Sequence, residues 1–265
     1  MVAPSKANIH FRKLLTTPKI VRDAGSPAGI RNFSLDTEYG SLTVYSLGQG
    51  PAVLFVHGWS GGGKQFFQLM KAVERSGFQA ISFDHFAHGK SDHHESNLPL
   101  QVIATEVVGN YVTKNHKLAA VVSHSLGCVA SLNAFGESLL PQVLVSPLLN
   151  FIEALYTQVY RSGLPAAVLD ELLLDIEKEH NLELTSLDII DRITEYRGAI
   201  QLIHDYGDKY ADHQLSRNLV QENSDIKLHS TNGLGHTSIL FNKETQDTVT
   251  GFLNTACRHH AFPDE

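Results

Sequence analysis

Cysteine is nearly missing from this chain. Cys128 and Cys257 are the only two among 265 residues, too few for a disulfide framework and without the paired spacing of a zinc or redox motif. Cys128 reads as a small packed residue, and Cys257, near the C-terminus, as a free surface thiol. Long apolar runs are missing too: none reaches the roughly eighteen residues of a membrane span. Lys6, Arg12 and Lys13 lie near the start with no apolar segment between them, so no secretory leader is expected and the chain reads as cytoplasmic. Nor is there a basic excess. With 21 Lys and Arg against 28 Asp and Glu, the formal net charge is −7, and the cations are scattered, which argues against a nucleic-acid or anionic-membrane partner. Internal repeats and low-complexity segments are absent, and oligomeric state is not legible.

What is present suits a soluble α/β protein. Hydrophobic residues make up 42%, enough for a substantial core in a chain of this length. Histidine is abundant, at 15 residues. Asp92-His93-His94-Glu95 and the pair His85/His88 are the best candidates for metal ligands. His93 and His94 are adjacent, however, so in extended chain they diverge, and the sequence supplies no third ligand. We read them as loop residues and expect neither metal nor cofactor.

Residues 1–30 carry Pro4, Pro18, Gly25, Pro27 and Gly29 without periodicity and read as an irregular arm. Two alternating strands, 32–39 and 41–47, turn at Gly40. Strands follow at 52–56, 79–83, 118–122, 142–145, 200–205 and 226–230. Helices are expected at 65–76, at 100–114 with a stripe of Val102, Ile103, Val107 and Tyr111, after Ser125 through Phe135, at 165–180, and at 244–256. This alternation predicts a mostly parallel eight-stranded sheet with helices on both faces. Residues 31–147 and 198–265 form its core. The segment 148–197, helical and too long for an ordinary crossover, reads as a small cap, with Leu155, Val159, Val168, Leu172 and Ile176 as its apolar stripes.

The stretch Val121-Val122-Ser123-His124-Ser125-Leu126-Gly127-Cys128 carries the chemistry. A buried strand runs into a sharp turn and then a helix of small residues, which is what a nucleophile elbow requires. Ser123 stands where glycine is usual, and a Ser-x-Gly turn at a strand end can also be purely structural. The other parts decide. The strand 52–56 ends in His57-Gly58-Trp59-Ser60-Gly61-Gly62-Gly63, a loop able to aim backbone N–H groups at an oxyanion. The strand from Ile200 ends in a turn bearing Asp205, Asp208 and, further on, Asp212. The last strand is followed by Asn232-Gly233-Leu234-Gly235-His236. Nucleophile, acid and histidine thus occur in that order along the chain.

These segments resemble those of the α/β-hydrolases, over nearly the whole chain from about Arg31 to Phe252. The likeness is greatest to small bacterial serine hydrolases with His-Gly-Trp-Ser-Gly, Phe-Asp-x-x-x-His-Gly-x-Ser, His-Ser-Leu-Gly, His-Asp-x-x-Asp and Gly-Leu-Gly-His segments. The resemblance implies that fold and a lid between the sixth and seventh strands. It also implies a triad of Ser125, Asp208 and His236, the family spacing selecting Asp208 over Asp205 and Asp212. The backbone N–H groups of Trp59 and Leu126 are then the oxyanion hole. His57 is expected to anchor the glycine loop, and Asp84 and His88 to brace the loop after the fourth strand. His124 either lines the pocket or packs against the oxyanion loop. The implied activity is hydrolysis of a small-molecule carboxylic ester or related acyl compound. Thioester cleavage, C–C hydrolysis and cofactor-free perhydrolysis use the same groups, and a non-catalytic ligand-binding protein on this fold is the alternative from another class. Serine rather than aspartate at position 125 argues against dehalogenase or epoxide hydrolase chemistry.

Overall fold

Apolar β-branched runs alternate with helix-forming segments from Ala52 onward, and the chain builds one sheet from them. The computed structural model describes residues 12, 13, 15–18 and 28–258. Its strands are β1 (Arg31–Thr37), β2 (Gly40–Leu47), β3 (Ala52–Val56), β4 (Gln79–Phe83), β5 (Leu118–His124), β6 (Gln142–Val145), β7 (Ile200–Asp205) and β8 (Lys227–Thr231). They lie in the order β1-β2-β4-β3-β5-β6-β7-β8. The pairs β1/β2 and β2/β4 are antiparallel and the rest are parallel. All five residues of β3 are fully buried, as a strand covered on both faces must be.

The helices are α1 (Phe67–Arg75), α2 (Leu98–Asn115), α3 (Leu126–Phe135), α4 (Phe151–Arg161), α5 (Ala166–His180), α6 (Ile190–Glu195), α7 (His213–Glu222), α8 (Gly235–Ser238) and α9 (Lys243–Arg258). Alternation along β3 sorts the two faces. Val53 and Phe55 join Leu69, Met70 and Val73 of α1 and Val249 and Leu253 of α9. Ala52, Leu54 and Val56 join Ala104, Val108 and Val112 of α2 and Ala130 of α3. β4 lies on one side of β3 and β5 on the other, so the chain reverses its direction across the sheet between them. A crevice opens at such a switch point, beyond the carboxyl ends of the strands. The loops after Val56 and His124 both leave from there.

Among the differences from the sequence reading, those at α2, α7 and β5 bear on the site. α2 starts two residues early, with Asn97 Oδ1 accepting from Leu100 N–H at 2.9 Å and Pro99 inside the first turn; proline is tolerated there because that N–H has no helical acceptor. Its buried face is Gln101, Ala104, Thr105, Val108 and Val112, while Val102, Ile103, Val107 and Tyr111 are half-buried. The reason is a close helix contact: a Cβ on Gly109 would stand 2.5 Å from the Phe135 ring of α3. α7 was not anticipated, since its buried side includes the polar His213 and Ser216, which blurs the apolar period. β5 runs on through Ser123 and His124.

Between β6 and β7 the chain makes α4, α5 and α6. Leu172, Ile176, Leu184, Leu187, Ile189 and Ile193 are buried with Cys128, Val129 and Leu132 of α3. α5 begins after Pro165 and ends at Asn181, whose φ of 50° is the left-handed stop common after helices. Its last residues are tethered. Arg12 pairs with Glu95 at 3.1 Å and Glu179 at 2.8 Å, and Asn97 Nδ2 lies 3.2 Å from His180 Nε2. Most of the expected N-terminal arm lies outside the described residues; within it Arg12, Lys13, Leu15 and Thr16 are helical.

Candidate active site

Ser125 joins β5 to α3 with φ 56° and ψ −125°. A non-glycine residue there carries strain of about 1–3 kcal/mol that surrounding contacts must hold. They do so on both sides: Ser125 N–H donates to Val145 O at 3.0 Å, and Ser125 O accepts from Cys128 N–H at 3.0 Å. Gly127 is obligatory, since a Cβ would stand 2.5 Å from Val56 O and 2.6 Å from His57 O. Ser123, in the place where glycine is usual, is buried with its hydroxyl 3.0 Å from Ser131 Oγ. Leu126 opens α3, so its N–H has no acceptor within the helix.

The loop after β3 is held by neutral histidines. His57 donates Nδ1–H to Gly58 O at 2.7 Å and accepts His85 N–H on Nε2 at 2.9 Å. His85 returns Nε2–H to His57 O at 3.0 Å. His88 donates Nδ1–H to Phe86 O at 2.9 Å and accepts Ser60 N–H on Nε2 at 3.2 Å. Burial pushes His57 down to about 4 and His88 down to about 3, and holds His85 well below the ordinary range. Asp84 binds the next turn, accepting from Gly63 N–H, Tyr45 O–H and Lys90 N–H. Gly58 lies against the elbow: a Cβ there would be 3.0 Å from Leu126 N. Trp59 follows at once, and among the described residues no acceptor engages its N–H.

Asp208 and His236 come from the loops after β7 and β8. His236 Nε2 is 2.9 Å from Ser125 Oγ, and His236 Nδ1 is 2.7 Å from Asp208 Oδ2. Asp208 Oδ1 accepts from Tyr210 N–H at 2.9 Å and Ala211 N–H at 3.0 Å. Burial opposes ionisation of this carboxyl, but the imidazoles of His204 and His236 outweigh it and hold Asp208 well below the usual carboxylate range. The two rival acids have other partners. Asp205 accepts from Thr231 O–H, Leu234 N–H and Gly207 N–H, tying the end of β7 to the loop that bears His236. Asp212 caps α7 by accepting Gln214 N–H at 2.9 Å.

Ser125, Asp208 and His236 are thus brought together, with the Trp59 loop beside them. Two further residues belong to the same neighbourhood. His124 donates Nε2–H to His236 O at 2.8 Å and faces Gln65 Nε2 with Nδ1 at 3.4 Å; burial pushes it down to about 3. His204 is fully buried beneath Asp208. Only its place one residue before the strand end hinted at that. The other histidines go elsewhere: His93 Nδ1 contacts Glu95 O, and Asp92 accepts from Ser41. Cys128 is buried and its thiol is pushed up to about 12. Cys257 is half-buried rather than a surface thiol, with Sγ 3.5 Å from Ala119 O, and burial raises it to about 11.

Beside the acid loop a cleft of about 620 Å³ runs between α4 and residues 208–212. α4 turns Asn150, Glu153, Thr157, Gln158 and Arg161 to it, and Tyr210 connects it to the site, its ring 5.2 Å from that of His236. Leu126, Leu148 and Leu155 are half-buried against the apolar cluster around α3.

Comparison with known proteins agrees with this fold. Among solved structures, an esterase from Pyrococcus furiosus aligns over 91% of this chain and 97% of its own, at TM-score 0.71 and 16% identity. Est1E from Butyrivibrio proteoclasticus aligns over 85% and 98%, at TM-score 0.63 and 14% identity. A thioesterase domain from the curacin biosynthetic pathway aligns over 85% and 99%, at TM-score 0.61 and 14% identity. At such identities the likeness is one of fold. No curated protein matches the sequence. Among the described residues no helix is long and apolar enough to cross a membrane. The model of the alpha/beta hydrolase fold matches residues 51–187, just over half of the chain, and with it the protein belongs to the alpha/beta hydrolase family and is an α/β-hydrolase.

Proposed function

We propose that this protein is a serine hydrolase of the cytoplasm that cleaves a small-molecule carboxylic ester, or a related acyl compound, through an acyl-enzyme on Ser125. The observation that carries the reading is the unbroken chain Ser125 Oγ, His236 Nε2, His236 Nδ1, Asp208 Oδ2, with contacts of 2.9 and 2.7 Å. His236 takes the Ser125 proton as Oγ bonds to the substrate carbonyl carbon. The oxygen that becomes negative meets the N–H groups of Leu126 and Trp59, and His236 passes its proton to the departing alcohol. Water then repeats the cycle on the acyl-enzyme. Asp208 orients the imidazole and offsets its charge.

A binding protein without catalysis would not need a strained serine within hydrogen-bond reach of a histidine. Labelling by a fluorophosphonate probe, together with turnover of p-nitrophenyl esters of graded chain length, tests the reading. Label on Ser125, lost in Ser125→Ala, is expected; label on Ser123 or Cys128 overturns it. We assign substrate choice to the insert 148–197, a reading supported by α4 walling the cleft and by Leu155 packing on the same apolar cluster as Leu126. Leu155→Ala is expected to shift the preferred ester length in kcat/KM while labelling persists. An unchanged preference across the series removes the insert from that role.

A further inference from the structure

β7 presents a second histidine to the acid of the site. His204 Nδ1 lies 2.8 Å from Ser216 Oγ of α7, and its Nε2 lies 3.4 Å from Asp208 Oδ2. That oxygen is the one His236 Nδ1 meets at 2.7 Å. His204, Ser216 and the Asp208 side chain are all without solvent exposure, so water does not complete their bonding. One tautomer alone suits this setting. A proton on Nδ1 would turn the bare Nε2 lone pair toward a buried carboxylate. A proton on Nε2 points at Asp208 and leaves Nδ1 to accept the Ser216 hydroxyl, which has no other acceptor among the described residues.

We propose that His204 is a positioning residue for the acid: its Nε2–H, set by Ser216, finds no hydrogen-bond acceptor among the described residues and faces Asp208 Oδ2 at 3.4 Å, on the oxygen that His236 engages. The inference rests on the assignment of Ser125, His236 and Asp208 made above. A carboxylate oxygen that accepts one imidazole N–H and faces a second in a buried site is held by the field of both and has less charge to offer either. The groups around His204 are Asp208 on the acid loop, His236 beyond it, His124 on β5, Asp205 beside it on β7, and His213 of α7, whose ring is 5.3 Å away. The first is its direct partner. Freed of His204, Asp208 would hold the imidazolium form of His236 more tightly, which raises the pH at which His236 loses its proton.

Steady-state kinetics against pH tests this on the full chain with p-nitrophenyl butyrate. For His204→Phe we expect kcat to fall about tenfold or more with KM within about twofold, and the acid limb of kcat/KM to move up by about half a unit or more. His204→Gln, which keeps an N–H donor, should restore the limb toward its original position. Ser216→Ala leaves the imidazole in place but frees its tautomer, and should move the limb in the same direction by less. A merely structural role lowers the amount of folded protein without moving the limb. An unmoved limb in folded His204→Phe, or in Ser216→Ala where the first variant does not fold, overturns the proposal. Asp208→Asn separates the two readings. If it retains full activity the triad assignment itself fails; if it is inactive while the limb stays fixed in the other variants, only the role of His204 fails.

Discussion

The imidazole of His124 donates a hydrogen bond to the backbone carbonyl of His236 at 2.8 Å. The residue just before Ser125, the proposed nucleophile, therefore fixes the main chain of His236, the proposed acceptor of its proton. A carbonyl 112 positions away in sequence could not be named as its partner from the motif alone. Removing this donor leaves a partly buried acceptor without its side-chain partner, at a cost of about 1 kcal/mol. His124→Leu should lower kcat/KM about tenfold to a hundredfold, mostly through kcat, with His124→Gln losing less. Activity within about twofold of the parent in His124→Leu removes His124 from the site.

Gly58 is where the loop after β3 touches the elbow. A Cβ there would stand 2.8 Å from Ser125 Cβ and 2.9 Å from His124 O, so backbone has to move. Gly58→Ala should displace the Trp59 N–H and lower kcat by about a hundredfold to a thousandfold, the usual cost of losing an oxyanion donor. Steady-state rates paired with a thermal melt measure it. A melt lowered without loss of kcat assigns Gly58 to packing alone.

Asp205 is not interchangeable with Asp208. Its Oδ2 accepts both Thr231 O–H and the N–H of Leu234, two residues before His236, and its Oδ1 accepts Gly207 N–H. An asparagine cannot accept at both positions. Asp205→Asn should destabilise the fold by about 1–3 kcal/mol and reduce kcat by loosening His236. Asp208→Asn should abolish turnover with a smaller change in stability. Urea titration of both variants discriminates, and equal midpoints for Asp205→Asn and the parent refute the tether.

Acid should unfold or inactivate this protein by way of its histidines. His57, His88 and His124 each use one ring nitrogen as donor and the other as acceptor. A second proton displaces a bonded N–H. Their folded values are about 4, 3 and 3, below the ordinary 6.5. The unfolded chain therefore binds more protons between those limits, and stability rises with pH across that window. Stability should fall progressively as pH drops from about 6.5 to about 3–4. Replacing His88 with Gln, which titrates nowhere in that range, should flatten the slope. A stability that is constant between pH 6.5 and pH 4 contradicts the assigned tautomers.

Much of this architecture is written locally. β3 and β5 are legible because a strand covered on both faces needs consecutive apolar residues, whatever its neighbours. The elbow is legible because Ser125 and Gly127 answer a local backbone demand, and the order of Ser125, Asp208 and His236 follows the order of strand ends. What depends on two distant segments meeting was not legible. The stripe Val102, Ile103, Val107 and Tyr111 of α2 packs half-buried on the core, but the face fully buried beside it depends on Phe135 of α3 meeting Gly109. Asp208 was set apart from Asp205 and Asp212 only by the resemblance; the physical difference is that Thr231 and Leu234 engage one rival and the start of α7 the other. The contacts of His124 and His204 likewise arise only when β5 and β7 are brought alongside the loops of His236 and Asp208. Propensity and period act over a few residues, whereas a hydrogen bond in a buried site goes to whatever atom the sheet order delivers. The chain carries its strands, its elbow and the order of its reactive groups in its own sequence; the sheet decides which of its acids and histidines share a bond.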